Sequence, residues 1–155
     1  MLKKLLIPLV CILTFNAYGQ DSQLTEVEKR NLETYRLWGE EVWGKGNTEL
    51  MTELVTPIYT RHNGDGTREV TREEYGLEVK ANLGREMKFL MQDTSIDNDL
   101  LWIRYSGSAN DPNGNPVTFK GIQVYRFEHG KLTETWVMGG PGEAWNDPGE
   151  AWGMK

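Results

Sequence analysis

The chain has 155 residues, with 17 lysines and arginines against 23 aspartates and glutamates, and one cysteine. That length suits one domain. A net charge of −6 lacks the basic footprint of a duplex nucleic-acid binder, and a lone cysteine excludes a multi-disulfide scaffold. Six Trp, six Tyr and four Phe supply the bulk of a packed core and exclude wholesale disorder.

The first segment reads as an address. Lys3 and Lys4 precede an apolar stretch, Leu5 to Leu13, which gives way to the small and polar Asn16-Ala17-Tyr18-Gly19. A positive start, a short apolar run and a small-x-small ending are the marks of a secretory signal peptide. The run is well short of the roughly 20 residues needed to span a bilayer, so no stable membrane anchor is expected. Lipid attachment at Cys11 is disfavoured by Val10, which stands where a small residue belongs. Cleavage after Gly19 would remove the only cysteine and place the protein in the periplasm or outside the cell.

Thr25-Glu26-Val27-Glu28 has the form of a capping box, in which the threonine and the glutamate each satisfy an orphan helix donor. Leu32, Tyr35, Trp38 and Val42 follow at helical spacing and predict one amphipathic helix over 25–43. Gly44-Lys45-Gly46 ends it. Thr48 opens a short second helix that runs through Leu54 and stops before Pro57, because the residue preceding a proline avoids the α region. Thr71-Arg72-Glu73-Glu74 is another capping box and starts a third helix, which stops near Gly84.

After Gly84 the period changes. Stretches 87–96, 100–108, 117–128 and 131–138 are rich in β-branched and aromatic residues and are separated by turn formers. His129-Gly130 marks the tip of a two-residue hairpin. Helices first and an antiparallel meander afterwards predict an α+β fold, three N-terminal helices packed on one face of the sheet. Residues 139–155 are Gly- and Pro-rich and nearly repeat Pro141-Gly142-Glu143-Ala144-Trp145 as Pro148-Gly149-Glu150-Ala151-Trp152. The plainer reading is a small duplication in a loose tail. The sharper one has Trp145 or Trp152 fold back as a plug or pack on a partner subunit.

Helix, short helix, Tyr59-Thr60-Arg61-His62-Asn63, third helix and then a sheet resembles the nuclear transport factor 2-like superfamily, and within it the SnoaL-like polyketide cyclase group. The residues that carry the resemblance are the strand Val117 to Phe127, then Gly130-Lys131-Leu132 and Glu134-Thr135-Trp136. It covers about residues 25–138, so the domain is taken as 20–138. The resemblance implies a cone-shaped barrel, a curved antiparallel sheet around an apolar cavity. It also implies a homodimer formed through the outer sheet face. In the cyclases that the chain resembles, an aspartate at the position of Gln123 is the acid/base. An amide cannot take and return a proton near neutral pH.

Strand alternation places Phe119, Gly121, Gln123, Tyr125 and Phe127 on one face of their strand. Gln123 is therefore read first as a polar group that orients a ligand, with Phe119, Tyr125, Trp102, Trp136, Trp38 and Tyr35 as candidate walls or plain core. Trp102 shares a face with Arg104 and Ser106, and Ile103 with Tyr105. Leu132, Glu134, Trp136 and Met138 are expected to share one face of the last strand. Candidate catalytic groups are His62, whose unperturbed pKa suits a base, Glu134, an acidic residue among apolar neighbours, and Asp65, which reads first as a turn residue. An aspartate near that region is the base of the related ketosteroid isomerases. The plainer alternatives are a hydrogen-bonded structural histidine and an ion pair of Glu134 across the sheet.

No Cys/His cluster, phosphate-binding loop or dinucleotide fingerprint is present, so neither metal nor cofactor is expected. The function expected is the binding of a small, largely apolar molecule in the cone. The alternative is a cofactor-free isomerase, cyclase or hydrolase that uses His62, Asp65 or Glu134.

Overall fold

The computed structural model describes residues 24–146 and the backbone of 150–152; the expected leader, residues 1–19, lies outside the described residues. No helix among the described residues is long and apolar enough to cross a membrane. Helix α1 spans Glu26–Leu37 and opens on the expected capping box: Thr25 Oγ1 accepts from Glu28 N–H at 3.2 Å, and Glu28 Oε2 accepts from Thr25 N–H at 2.7 Å. It does not continue as an α-helix to residue 43. From Trp38 to Trp43 the chain winds as a π turn, with hydrogen bonds reaching five residues back. A 3₁₀ turn, Thr48–Leu50, leads into the four-residue α2, Met51–Leu54. Helix α3, Arg72–Asn82, begins at the second capping box, on Thr71 and Glu74.

The strands are β1 Val55–Asn63, β2 Gly66–Thr71, β3 Lys88–Asp97, β4 Leu100–Asn110, β5 Pro116–Glu128, β6 Lys131–Pro141 and the three-residue β7 Glu150–Trp152. They form one sheet in the order β2-β1-β6-β5-β4-β3-β7, open at β2 and β7. Strands β3 to β6 make the expected antiparallel meander. The β5–β6 connection is the two-residue turn at His129 and Gly130, both with positive φ (51° and 83°), the conformation that matches strand twist in a type I′ hairpin.

The expectation of a purely antiparallel sheet is corrected by β1, which pairs parallel with β6 and antiparallel with β2. The β1–β2 hairpin occupies what reads in the sequence as a loop after the second helix. Pro57 breaks the strand signal there, and the β1–β6 register shifts between Val55 and Thr60, around that proline. The described part of the tail is also tied to the sheet rather than loose. Strand β6 runs on through Gly139, Gly140 and Pro141, and Gly142 N–H bonds to Thr118 O at 3.1 Å. The indole of Trp145 donates to Tyr105 O at 3.0 Å and lies under the cations of Lys120 (4.4 Å) and Arg104 (5.4 Å). The backbone of 150–152 then adds to the edge of β3.

Two buried polar residues tie α1 to the sheet. Thr34 Oγ1 donates to Gly130 O at 2.7 Å, and Asn31 Nδ2 to Asn98 O at 2.9 Å. The helix therefore bonds to the β5–β6 and β3–β4 turns together. That fixes where its next turn, with Trp38 and Trp43, stands over the sheet. Trp38, Val42, Val55, Tyr59, Val79, Leu101 and Leu132 are the most deeply buried apolar side chains of the core.

Candidate functional site

A cavity of about 60 Å³ lies between the π turn and the inner face of β3, β4 and β5. From the helix side it is lined by Tyr35, Trp38, Gly39 and Trp43. From the sheet come Phe89 and Met91, Ile103 and Tyr105, and Gln123 with Tyr125. The π turn builds the helical wall. In an α-helix, residues five apart point about 140° away from each other, but a turn that bonds five residues back brings Trp38 and Trp43 to the same cavity. On the sheet side, glycines make room for rings. A Cβ at Gly121 or Gly139 would stand 3.0 Å from the Tyr105 hydroxyl, and one at Gly107 would stand 2.6 Å from the Phe119 ring.

Among the described lining residues the polar side-chain groups are one carboxamide, three phenols and the indole N–H groups of Trp38 and Trp43. Gln123 Nε2 donates to Thr135 Oγ1 at 3.3 Å, which in turn donates to Val124 O at 3.0 Å. The Tyr35 hydroxyl donates to Met91 Sδ at 3.6 Å, and its ring packs 5.0 Å from that of Tyr125. Burial pushes the phenols of Tyr35, Tyr105 and Tyr125 above their ordinary range, because a phenolate there would lose its hydration. They remain hydrogen-bond donors at neutral pH. No carboxylate or imidazole is among the described residues that line the cavity.

Of the candidate ligand-binding residues, Tyr35, Trp38, Gln123 and Tyr125 line this cavity, and Phe119 stands behind it, 5.4 Å from Phe89. Trp102 and Trp136 are corrected: they lie on the opposite face of the sheet, in the register row Trp102–Val124–Trp136–His62 that crosses β4, β5, β6 and β1. A β-bulge moves Glu134 and Trp136 there. Phe127 pairs with Leu132 and Arg126 with Glu134, so Thr133 is an extra residue on β6. Leu132 consequently faces the core, fully buried, and does not share a face with Glu134.

The candidate acid/base residues are likewise placed away from the cavity. His62 Nε2 lies 2.7 Å from Glu134 Oε1, and its Nδ1 lies 2.7 Å from Thr67 Oγ1. The other Glu134 oxygen accepts from Arg126 Nη1 at 2.7 Å, which is the ion pair across the sheet that was the plainer reading. His62 stacks on Trp136 at 5.0 Å and 6°, with Arg126 also over that indole at 5.0 Å. Every strong acceptor of His62 and Glu134 is thus engaged in a network on the outer face. Asp65 sits exposed in the β1–β2 turn, its N–H bonded to Asn63 Oδ1 at 2.9 Å. Trp43, Phe89, Met91, Ile103 and Tyr105 were not singled out as site residues. The inward alternation of β3 and β4 was the available signal for the last four, whereas nothing in the sequence marked the π turn.

Open sheet, three helices and an apolar inner cavity define the class: an α+β cone fold of the nuclear transport factor 2 type. Within it the chain belongs to the SnoaL-like domain family, whose model matches residues 36–135. Among solved structures it is similar to a protein of Jannaschia sp. CCS1 described as a SnoaL-like polyketide cyclase, with 18% identity and a TM-score of 0.64 over 78% of this chain and 91% of that one. A protein of Acidithiobacillus ferrooxidans described as a polyketide cyclase shares 25% identity, with a TM-score of 0.62 over 74% and 91%. SalBIII, described as an epoxide hydrolase/cyclase-like enzyme in pyran ring formation in the polyether salinomycin, shares 20%, with a TM-score of 0.62 over 73% and 92%. No functionally curated protein matches the sequence significantly.

Proposed function

We propose that this SnoaL-like domain is an exported binding protein that holds a small, largely apolar molecule against the aromatic walls of the inner cavity. The observation that carries this reading is the chemistry of the lining. Three un-ionised phenols and one carboxamide can orient a carbonyl or hydroxyl group, and among the described residues no carboxylate or imidazole stands there to move a proton. The placement of His62, Asp65 and Glu134 away from the cavity weighs against the acid/base alternative. Export is part of the proposal and rests on the Met1–Gly19 segment; the mass of the protein recovered from an exporting host should match a chain that begins at Gln20.

Native mass spectrometry of that protein, purified without added ligand, should show a mass excess that disappears on denaturation. Gln123→Leu should lose most of the excess while its melting temperature stays close to the parent's, because the carboxamide makes one long hydrogen bond at 3.3 Å. Equal retention by the variant would remove Gln123 from the site, and a clean mass in the parent would end the retention reading.

We also propose that the protein is a homodimer joined through the outer sheet face. Trp102, Ile122 and Met138 stand 49%, 46% and 77% exposed there, and the pairings Arg104–Ile122 and Ile122–Met138 set them on adjoining strands. Single large apolar residues on a surface are ordinary, but a group on one face is the usual mark of an interface. Ile122→Lys combined with Met138→Lys should give a folded monomer by size-exclusion chromatography with light scattering. A monomeric parent, or a doubly substituted dimer, would rule the interface out.

A further inference from the structure

The inner cavity, at about 60 Å³, is small beside the roughly 300–1,000 Å³ of pockets that enclose most ligands. A second concavity adjoins it. It has a volume of about 320 Å³ and is lined by Trp43, Gly44, Asn82, Leu83, Glu86, Met87 and Lys88. Trp43 belongs to both linings, so this residue stands between a small apolar chamber and a somewhat more open cleft of ligand size.

We propose that chamber and cleft are two halves of one binding site, with Trp43 as the gate and Lys88 as partner to an anionic group. The occupant would be an amphipathic molecule whose apolar aromatic or alicyclic end passes Trp43 and whose carboxylate, or a similar anion, stays in the cleft. This rests on the reading that the inner cavity holds an apolar molecule, and it names the chemical class of that molecule.

Three observations carry it. Trp43 is held lightly for so large a side chain. It meets Trp38 and Tyr75 edge-on, with centroids 6.2 and 6.3 Å away, and its indole N–H donates no hydrogen bond among the described residues. It is also the last residue of the π turn and is followed by Gly44-Lys45-Gly46, with Gly46 at φ 74°. A widened turn that runs into glycines lets the indole swing without unwinding α1.

The far wall is irregular as well. Glu86 holds a left-handed conformation at φ 51°, which a residue with a β-carbon adopts at a cost and which clusters at ligand clamps. The two walls meet where Leu83 packs on Gly46; a Cβ there would come 2.5 Å from Leu83 Cδ1.

The polar inventory of the cleft selects an anion. Asn82 is spent at both ends, on Glu78 O and on Arg85 Nη1. Glu86 accepts from Asn110 Nδ2 at 3.3 Å. Glu86 and Lys88 are the charged residues of the described cleft lining, and neither forms an ion pair; the Glu86 carboxylate has its amide partner, whereas the Lys88 ammonium has no hydrogen bond among the described residues. Next to it in sequence, Phe89 lines the chamber.

The test uses two dyes that share one ring system, 1-anilinonaphthalene-8-sulfonate and its uncharged parent N-phenyl-1-naphthylamine, titrated into the protein that begins at Gln20. The sulfonate should bind about tenfold more tightly than the neutral dye, the worth of one charge-assisted contact. Lys88→Met should erase that preference and leave the neutral dye unchanged. Trp43→Ala should raise the association rate of both dyes about tenfold in stopped flow, and Trp43→Phe, which keeps an aromatic core, should raise it less. Lys88 is exposed at the start of β3, so its replacement leaves the fold in place, and circular dichroism checks the Trp43 variants.

Binding of both dyes with equal affinity, or a sulfonate preference that survives Lys88→Met, overturns the anion assignment while the apolar cavity stands. Association rates unchanged in both Trp43 variants overturn the gate. Failure of both dyes to bind the parent removes the cavity reading and this inference together, whereas a sulfonate that fails where the neutral dye binds overturns the anion assignment alone.

Discussion

Alkali is expected to unfold this domain cooperatively within about two units above pH 10, and none of its tyrosines should ionise before it does. The chain beyond Gly19 has five tyrosines, Tyr35, Tyr59, Tyr75, Tyr105 and Tyr125. Burial raises the pKa of every one, Tyr75 to about 12. The sign follows from which state holds the proton. A phenol whose folded pKa lies above its unfolded value of about 10 contributes its full stability below pH 10, and that contribution is lost as pH rises through the folded value. Tyr59, Tyr75 and Tyr125 are 0%, 4% and 6% exposed. Each withdraws about 1.4 kcal/mol per pH unit over that window, and a domain of this size has roughly 5–15 kcal/mol to lose.

Surface ion pairs such as Lys45–Glu41 contribute little to this balance. Tyrosinate absorbance and far-ultraviolet circular dichroism, followed together, should change at one midpoint. Tyr59→Phe keeps the ring stacked 5.1 Å from Tyr75 and removes one titrating group, so it should move that midpoint upward. A reversible tyrosinate step near pH 10 with intact dichroism would show that the phenols are in contact with water.

Replacing Trp38 by Ala is expected to cost about 3–5 kcal/mol, the range for emptying a large aromatic side chain from a core, and to lower the melting temperature by roughly 10–20 °C. Trp38 is 1% exposed, packs 5.3 Å from the ring of Tyr75 and forms part of the cavity wall. Its removal joins a new void to an existing one, so little of the loss is recovered by collapse. The enlarged space should be apolar enough to take a small aromatic such as benzene. Benzene in excess should therefore raise the variant's melting temperature and leave the parent's nearly unchanged, by mass action on the folded state. A loss of only a few degrees would mean that the π turn does not pack as described. A full loss without rescue by benzene would mean that the void had closed.

The His62–Glu134–Arg126 network shows why one-dimensional reading misplaced the acid/base candidates. Alternation is a reliable rule only while pairing is regular, and one extra residue at Thr133 sends Leu132 to the core and Glu134 to the outer face. Trp136 moves with them and becomes a stacking partner for His62. The cavity wall was half legible for the same reason. Gln123 and Tyr125 stand on the regular part of β5, so counting by twos places them inward, whereas the π turn that brings Trp43 beside Trp38 breaks the helical period that would have been counted.

Sequence by itself determined whatever depends on near neighbours. Both capping boxes, the His129-Gly130 hairpin, the four meander strands and the membership in the SnoaL-like family belong to that group, because caps, turns and alternation are set by residues within a few positions of one another. Tertiary structure alone decided the parallel pairing of β1 with β6, the face that each side of the Thr133 bulge presents, the docking of Trp145 under Lys120 and Arg104, and the place of Trp43 in the linings of two adjoining concavities. Each of these joins segments distant in the chain or breaks a local period. Their energies come from burial and from hydrogen bonds that form only once the sheet has assembled around α1.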